Sequence, residues 1–420
     1  MTLEYINNEL SVNGHGINSI VKEYGTPLFV YDENMIRSQC RRYHRVLKEE
    51  ELDYSISYAS KAFTSVQMVK LLREENMKLD VVSQGELYTA LKAGFDAADI
   101  HFHGNNKTTE EVEYALASGI GLIVVDALDE VELIDSIATE NIDVLLRINP
   151  GVDVDTHEFI QTGQEDSKFG LSIHNGSALE AVNAIRESRH LNFRGIHYHL
   201  GSQLSAESPF INALEAVYKW LSEYSIDIEV LNMGGGYGVK YIESDTRFPI
   251  EEAFKNITER LRNLSETHNM PLPHVMIEPG RSIAAEAGTT IYEVGVIKEI
   301  PGLSKYVSIN GGMSDHLRTP LYGAEYAVVP VNKTGAENIE THVVGKLCES
   351  GDIIGRQLNV PYNLKRGDLL AVKTTGAYHY SMASNYNQMT KPAVVFVNDE
   401  SVRTVIKRQS LDQLIENDVF

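Results

Sequence analysis

Tyr54-Ser55-Ile56-Ser57-Tyr58-Ala59-Ser60-Lys61-Ala62 is the stretch from which the rest of the chain is read. Bulky apolar and small polar residues alternate over 54–58, the period of a half-buried strand, and a lysine follows shortly after. A lysine at a strand end can be held still and partly desolvated, which frees its amine lone pair to attack a carbonyl carbon. Most strand-end lysines are simply solvated, so the weight of Lys61 depends on what surrounds it. Further strand-like runs occur at 79–82, 100–103, 121–125, 143–148, 193–198, 228–233 and 274–278, and most of the intervening segments are long enough for a helix. Residues 64–76 place Val66, Met68, Val69, Leu71 and Leu72 on one broad face behind a Thr64/Ser65 cap, and 129–138 do the same with Val131, Leu133, Ile134 and Ile137. Eight strands alternating with helices predict an α/β fold of the (β/α)8 barrel type.

After Arg281 the texture changes. Short β-rich runs at 290–300, 304–310, 341–347, 352–356, 367–374 and 392–406 are separated by Gly, Pro, Asn and Asp, and helical periodicity returns only at 409–416. The expected division is a barrel over 36–281 and a β-domain built from 282–420 together with 1–35, to which Leu28-Phe29-Val30-Tyr31 would lend a strand. A single larger barrel with a disordered tail is the alternative. The net charge of −22 argues against nucleic acid and against anionic membranes, both of which demand basic patches. Met1-Thr2-Leu3-Glu4-Tyr5 lacks the basic and apolar stretches of a signal peptide, and the longest apolar runs are strand-sized. Two cysteines, Cys40 and Cys348, make neither a disulfide framework nor a zinc spacing, so a reducing cytoplasm fits.

In such a barrel, reactive groups gather where strands end. The successive exits offer Lys61, then Asp80 with Ser83-Gln84-Gly85-Glu86, His103-Gly104-Asn105-Asn106-Lys107, Arg147, His199-Leu200-Gly201-Ser202, Gly234-Gly235-Gly236 and Glu278-Pro279-Gly280-Arg281. The glycine triplet, expected to lead into a helix, exposes backbone N–H groups that can cradle a phosphate, with Ser202 and Arg281 adding a hydroxyl and a guanidinium. Tight turns are the plainer explanation of a glycine triplet. Glu278 ends an otherwise apolar strand, where a carboxylate is costly to bury unless paired. A pyridinium N–H would pair it, and so would a salt bridge to Arg147; the two are compatible. His199 could lie against the face of such a ring or be a core histidine. Together these parts point to a pyridoxal 5'-phosphate site. Cys348-Glu349-Ser350-Gly351-Asp352 reads as an exposed functional loop, and Gly376-Ala377-Tyr378-His379-Tyr380-Ser381 gathers further hydroxyl groups.

These residues, with Ser167-Lys168-Phe169-Gly170 and Ser381-Met382-Ala383-Ser384-Asn385-Tyr386-Asn387, resemble over nearly the whole chain the fold-type III pyridoxal-phosphate decarboxylases, and within them the diaminopimelate decarboxylase family. The resemblance implies an alanine-racemase-like barrel with a β-domain, acting as a homodimer whose active sites are shared across the subunit interface. It implies that Lys61 carries pyridoxal phosphate, that Asp80 belongs to the cofactor site, that His199 packs on the ring and that Glu278 binds its nitrogen. Ser202, Gly234, Gly235, Gly236, Arg281 and Tyr378 would surround the phosphate. Arg281, Arg318, Tyr322, Glu349 and Tyr378 would bind substrate, and Cys348 from the partner would return a proton, with Lys61 as the competing donor. The implied reaction is decarboxylation of meso-2,6-diaminopimelate at its D-centre to L-lysine and carbon dioxide, the last step of lysine biosynthesis. A related decarboxylase of ornithine, arginine, lysine or carboxynorspermidine is the nearest rival; Glu349 together with Arg318 suits a second amino-acid head group better. Asn310, His379-Tyr380 and Phe63 depart from the commonest family pattern, and Asn310 is expected to loosen a charged contact.

Overall fold

The computed structural model describes residues 3–152, 167–333 and 335–419. Eight strands, β1 (Tyr54–Ala59), β2 (Lys78–Val81), β3 (Ile100–Phe102), β4 (Leu122–Val125), β5 (Ile142–Asn149), β6 (Leu191–His197), β7 (Val230–Asn232) and β8 (His274–Ile277), pair in parallel in sequence order. Residues Val275–Ile277 of β8 then pair with Tyr54–Ile56 of β1 and close the barrel. Each strand lies within or beside a run read from the sequence, because continuous Val/Ile/Leu stretches such as Leu122-Ile123-Val124-Val125 can be buried on both faces only in a covered parallel sheet. Between β1 and β2 the helix Val66–Glu74 starts where Ser65 Oγ accepts the Met68 amide, and its buried face is Met68, Val69, Leu71 and Leu72.

The two-residue side-chain period of a strand fixes what faces the barrel axis. Leu122, Val124, Leu145 and Met276 meet in one buried apolar cluster. Two residues further along the same faces come Asp126, Arg147 and Glu278. Ser57 and His101 reach across from the non-adjacent strands β1 and β3 to bond at 2.9 Å, so His103 shares that inward face. The inward residues thus change from apolar to charged as the strands reach their C-terminal ends.

The chain forms two compact units, Cys40–Gly238 with Thr246–Gly280, and Met1–Gln39 with Val239–Asp245 and Arg281–Phe420. Residues 239–245, assigned to the barrel in the sequence reading, group with the second unit: the Lys240 carbonyl accepts the Thr374 hydroxyl at 3.4 Å and the Tyr241 ring meets Tyr326 edge-on at 5.1 Å. The second unit is a sheet in the order Ile353–Pro361, Asn338–Val344, Ser304–Ile309, Gly288–Ile300, Leu28–Asp32, Ala393–Val397 and Val402–Ile406. Leu28–Asp32 lies inside it, antiparallel to Gly288–Ile300 and parallel to Ala393–Val397. The run at 392–406 is two strands, because Asn398 turns the chain by accepting the Glu400 and Ser401 amides at 3.0 and 2.9 Å. Val328–Pro330, too short and proline-ended to be read as a strand, pairs with Leu369–Lys373. No helix among the described residues is long and apolar enough to cross a membrane.

Lys107, expected among the polar groups at the strand exits, is a buried staple. Its Nζ donates to the carbonyls of Gly104 (3.0 Å) and Val124 (2.7 Å) and to Glu130 Oε1 (2.5 Å), while Glu130 Oε2 accepts the Asp126 amide at 2.7 Å. Removing one partner of a buried pair strands the other charge, so Lys107→Met is expected to lower unfolding stability by about 3–5 kcal/mol in urea titrations. Adding Glu130→Leu to it is expected to restore most of that loss.

Candidate active site

A cavity of about 700 Å³ opens at the C-terminal ends of the barrel strands, with Lys61, Asp80, His199, Ser202 and Glu278 in its wall. Lys61 follows β1 in a single 3-10 turn, Ser60–Ala62, and is exposed rather than partly desolvated, because the turn aims it into this open space. Ser202 is exposed as well, and His199 is half-buried.

Glu278 lies at the cavity floor and is buried. His103 Nε2 stands 2.9 Å from its Oε1, Asn232 Nδ2 donates to the same oxygen at 2.6 Å, and His197 Nε2 approaches Oε2 at 3.2 Å. Burial alone would push this carboxyl up; the charge of His103 and the hydrogen bonds of His103 and His197 outweigh it and hold Glu278 well below the usual carboxylate range. His103 is itself raised, since Asp80 and Glu278 outweigh the cost of burying its charge. Burial raises Asp80, whose Oδ1 lies 3.8 Å from His103 Nε2 and has no hydrogen-bond partner among the described residues. Burial lowers His197 to about 4. Two carboxylates therefore share one imidazolium, and a further cation on the floor would be welcome. The salt bridge expected between Glu278 and Arg147 is not what forms. Arg147 Nη1 pairs with Asp126 Oδ1 at 3.5 Å, because Asp126 points inward from the adjacent strand. His197, Asn232 and Asp126 were missed in the sequence, although their spacing of two from His199, Gly234 and Val124 was the available signal.

Burial, with Lys61 nearby, lowers His199 well below the ordinary imidazole range, and its Nδ1 accepts the Gly235 amide at 3.2 Å. The glycine triplet is first of all a packing device. A Cβ would fall 2.5 Å from the Tyr198 carbonyl at Gly234, 2.2 Å from that of Glu278 at Gly235 and 2.4 Å from that of Gly201 at Gly236. The Gly234 amide donates to Asn232 Oδ1 at 2.9 Å, so two of the three amides expected to cradle an anion already have internal acceptors. The helix expected next begins only at Ile250.

The remaining candidates belong to the second unit. Arg281 opens the short helix Arg281–Ala284, is buried, donates to the Tyr241 hydroxyl and stacks over Tyr378 at 4.7 Å. Arg318 lies over the same ring at 5.6 Å and over the exposed Tyr322 at 5.2 Å. Cys348 and Glu349 are exposed on a loop braced from within: Asp352 accepts the amides of Met313 (2.6 Å) and Leu347 (2.8 Å), and Asn387 Oδ1 accepts that of Cys348 (2.9 Å). Asn310 is not a loosened charge contact, because its Oδ1 accepts the Glu293 amide at 2.9 Å and its Nδ2 donates to Thr26 Oγ1 at 2.7 Å. An aspartate there could keep the second contact only with its direction reversed, the Thr26 hydroxyl donating.

Residues 33–285 match the family described as pyridoxal-dependent decarboxylase, pyridoxal binding domain. Diaminopimelate decarboxylase of Staphylococcus aureus (strain COL) is 56% identical over 419 residues, covering 100% of both chains. The chain belongs to the diaminopimelate decarboxylase family. The family's enzyme from Bacillus subtilis (strain 168) is 44% identical, over 98% of this chain and 95% of that relative. The crystal structure of the M. jannaschii diaminopimelate decarboxylase in co-complex with L-lysine superimposes with a TM-score of 0.94 at 33% identity, covering 99% of this chain and 97% of that one. The family's cofactor is pyridoxal phosphate, and the site fits it: Glu278 Oε2, with one partner among the described residues where Oε1 has two, retains a lone pair for a ring N–H, and Lys61 reaches into the same cavity.

Four buried imidazoles and the half-buried His199 give the fold a pH signature. Burial holds His101 and His316 at about 3, His197 at about 4, and His199 and His379 well below their ordinary value. Their folded values lie below the unfolded one, about 6.5. Below that pH the unfolded chain takes up protons that the folded chain refuses, so stability falls on acidification. Asp315 and Glu86, raised by burial to about 7, act in the opposite sense, as do the raised Asp80, His103, Glu130 and Asp352, but all five imidazoles draw protons to the unfolded chain within the same window. The urea midpoint is therefore expected to drop between pH 7 and pH 5; a flat profile would contradict neutral burial of these rings.

Proposed function

We propose that Lys61 is the covalent anchor of pyridoxal phosphate, that Glu278 faces the ring nitrogen and that His199 packs against the ring. The carboxylate held ionised by His103, His197 and Asn232 carries this reading, since a buried anion on a cavity floor needs a cationic partner. The Gly235 amide fixes the plane of His199. Ser202, Gly236, Arg281 and Tyr378 bind the phosphate, with Gly234 and Gly235 shaping the loop, and Asp80 and His103 balance charge behind the ring.

The reaction is decarboxylation of meso-2,6-diaminopimelate at its D-centre to L-lysine and carbon dioxide, the last step of lysine biosynthesis. The bound cofactor supplies an electron sink conjugated to the reacting carbon. Glu278 Oε2 keeps the proton on the ring nitrogen, which strengthens that sink. Lys61 Nζ binds the cofactor between turnovers. Arg281, Arg318, Tyr322 and Tyr378 hold the carboxylate at the unreacted end, and Glu349 holds the ammonium beside it. A proton from Cys348 Sγ of a second copy of the chain replaces the departing carboxylate on carbon, with Lys61 Nζ as the rival donor. Exposure of Cys348 and Glu349 on a braced loop supports a homodimer in which this loop completes the partner's site. The free thiols Cys40 and Cys348 suit the cytoplasm.

Purified protein with pyridoxal phosphate, offered meso-diaminopimelate, lysine, ornithine and arginine separately, is expected to release carbon dioxide from the first alone. Rapid release from ornithine and none from diaminopimelate would move the chain to the rival class. Lys61→Ala is expected to abolish both the absorbance of the covalently bound cofactor and turnover. Cys348→Ala should retain that absorbance and lose about 10²–10⁴-fold in kcat, the scale of a lost general acid.

A further inference from the structure

The two guanidiniums assigned to the substrate's far carboxylate are held by groups that have no role in the reaction. Arg318 Nε donates to the Tyr326 hydroxyl at 2.8 Å, and Arg281 Nη1 donates to the Tyr241 hydroxyl. The two tyrosine rings meet edge-to-face at 5.1 Å, so the hydroxyl supports form one rigid unit beneath the arginines. Tyr326 is 2% exposed and wedged edge-on between His316 (4.8 Å) and His379 (5.0 Å), both kept neutral by burial. His379 is one of the positions at which this chain departs from the common family pattern, and its ring fills the space behind Tyr326.

The choice of partner matters. An aspartate or glutamate beneath these guanidiniums would also fix them, but it would cancel the positive charge an incoming carboxylate must find. A phenol orients the guanidinium and leaves its charge intact. Because Nε of Arg318 is bound to Tyr326, the outer Nη1/Nη2 edge is left as the paired donor fork, the geometry that reads a carboxylate bidentately. We infer that Tyr326, supported by Tyr241, is a positioning residue that sets the Arg281–Arg318 pair for an anionic end group and so governs preference for ligands carrying a second carboxylate. This rests on the reading of the two arginines as the distal-carboxylate site.

The test uses the holoenzyme and two competitive ligands that differ in that carboxylate: L-lysine, which has it, and cadaverine, which does not. Tyr326→Phe keeps the ring packing and removes only the hydroxyl. It is expected to raise KM for diaminopimelate and the inhibition constant for L-lysine by about tenfold, the scale of one hydrogen bond to a charged group, while kcat, cofactor absorbance and cadaverine inhibition stay unchanged. Equal weakening of both ligands, or weakening of neither, overturns the inference. Arg318→Met separates the two levels. If it erases the lysine-over-cadaverine preference while Tyr326→Phe leaves that preference intact, the positioning role fails and the distal-carboxylate reading stands. If Arg318→Met itself leaves the preference intact, both fail.

Discussion

The site depends on one buried anion. Glu278 ends the last barrel strand largely buried, and such a charge survives only if neighbouring groups replace lost hydration. Three side chains do so, from three different strand ends: His103 and Asn232 on one oxygen, His197 on the other. Each is itself constrained. His103 is shared with Asp80, Asn232 also accepts the Gly234 amide, and the buried His197 packs edge-on against His103 at 4.9 Å. On the proposed assignment, an anion fixed this way would meet a cationic ring nitrogen without reorganisation, and such preorganisation gives an electrostatic site its strength.

The barrel supplies the geometry for this arrangement through the strand period. Side chains two apart share a face, so one choice of register turns Leu122, Val124, Leu145 and Met276 into the inner packing and sends Asp126, Arg147 and Glu278 to the mouth. Shifting one strand by a single residue would exchange a charged group for an apolar one at both levels. The same backbone closeness explains the glycines. Gly235 lies where any Cβ would strike the Glu278 carbonyl, so the triplet lets the β7 loop pass close to the end of β8.

Much of this was legible in the sequence, for reasons that differ by element. The barrel strands were visible because their apolar runs are continuous and regularly spaced, and the helix at Val66–Glu74 because its cap and buried face are both local patterns. Glu278 stood out because a carboxylate at the end of an apolar strand is costly to bury and therefore informative. What was not legible is pairing across the barrel. Nothing local tells that Arg147 answers Asp126 while two histidines answer Glu278, since those choices are set by which strands are adjacent and how far each side chain reaches. Lys107 was misjudged for the same reason: in sequence it sits among the polar residues of an exit, and only its partners Val124 and Glu130 show it to be structural. The strand split at Asn398 and the placement of residues 239–245 were likewise decided by long-range contacts.

The two units solve opposite electrostatic problems by opposite means. In the barrel a carboxylate must stay negative, and the protein surrounds it with an imidazolium, a neutral imidazole and an amide, whose combined effect favours the ionised form. In the second unit two guanidiniums, proposed as the receptors of the far carboxylate, are met by phenols and a shared aromatic face at 4.7 and 5.6 Å. Acids would have held the arginines more tightly and made them useless as receptors. On the proposed assignment, a neutral support keeps the guanidinium charge for the far carboxylate, and burying that charge without its acceptor is what would penalise a substrate lacking one. On that reading, discrimination between diaminopimelate and a simple diamino acid would follow from the charge the supports leave intact as much as from the contacts made.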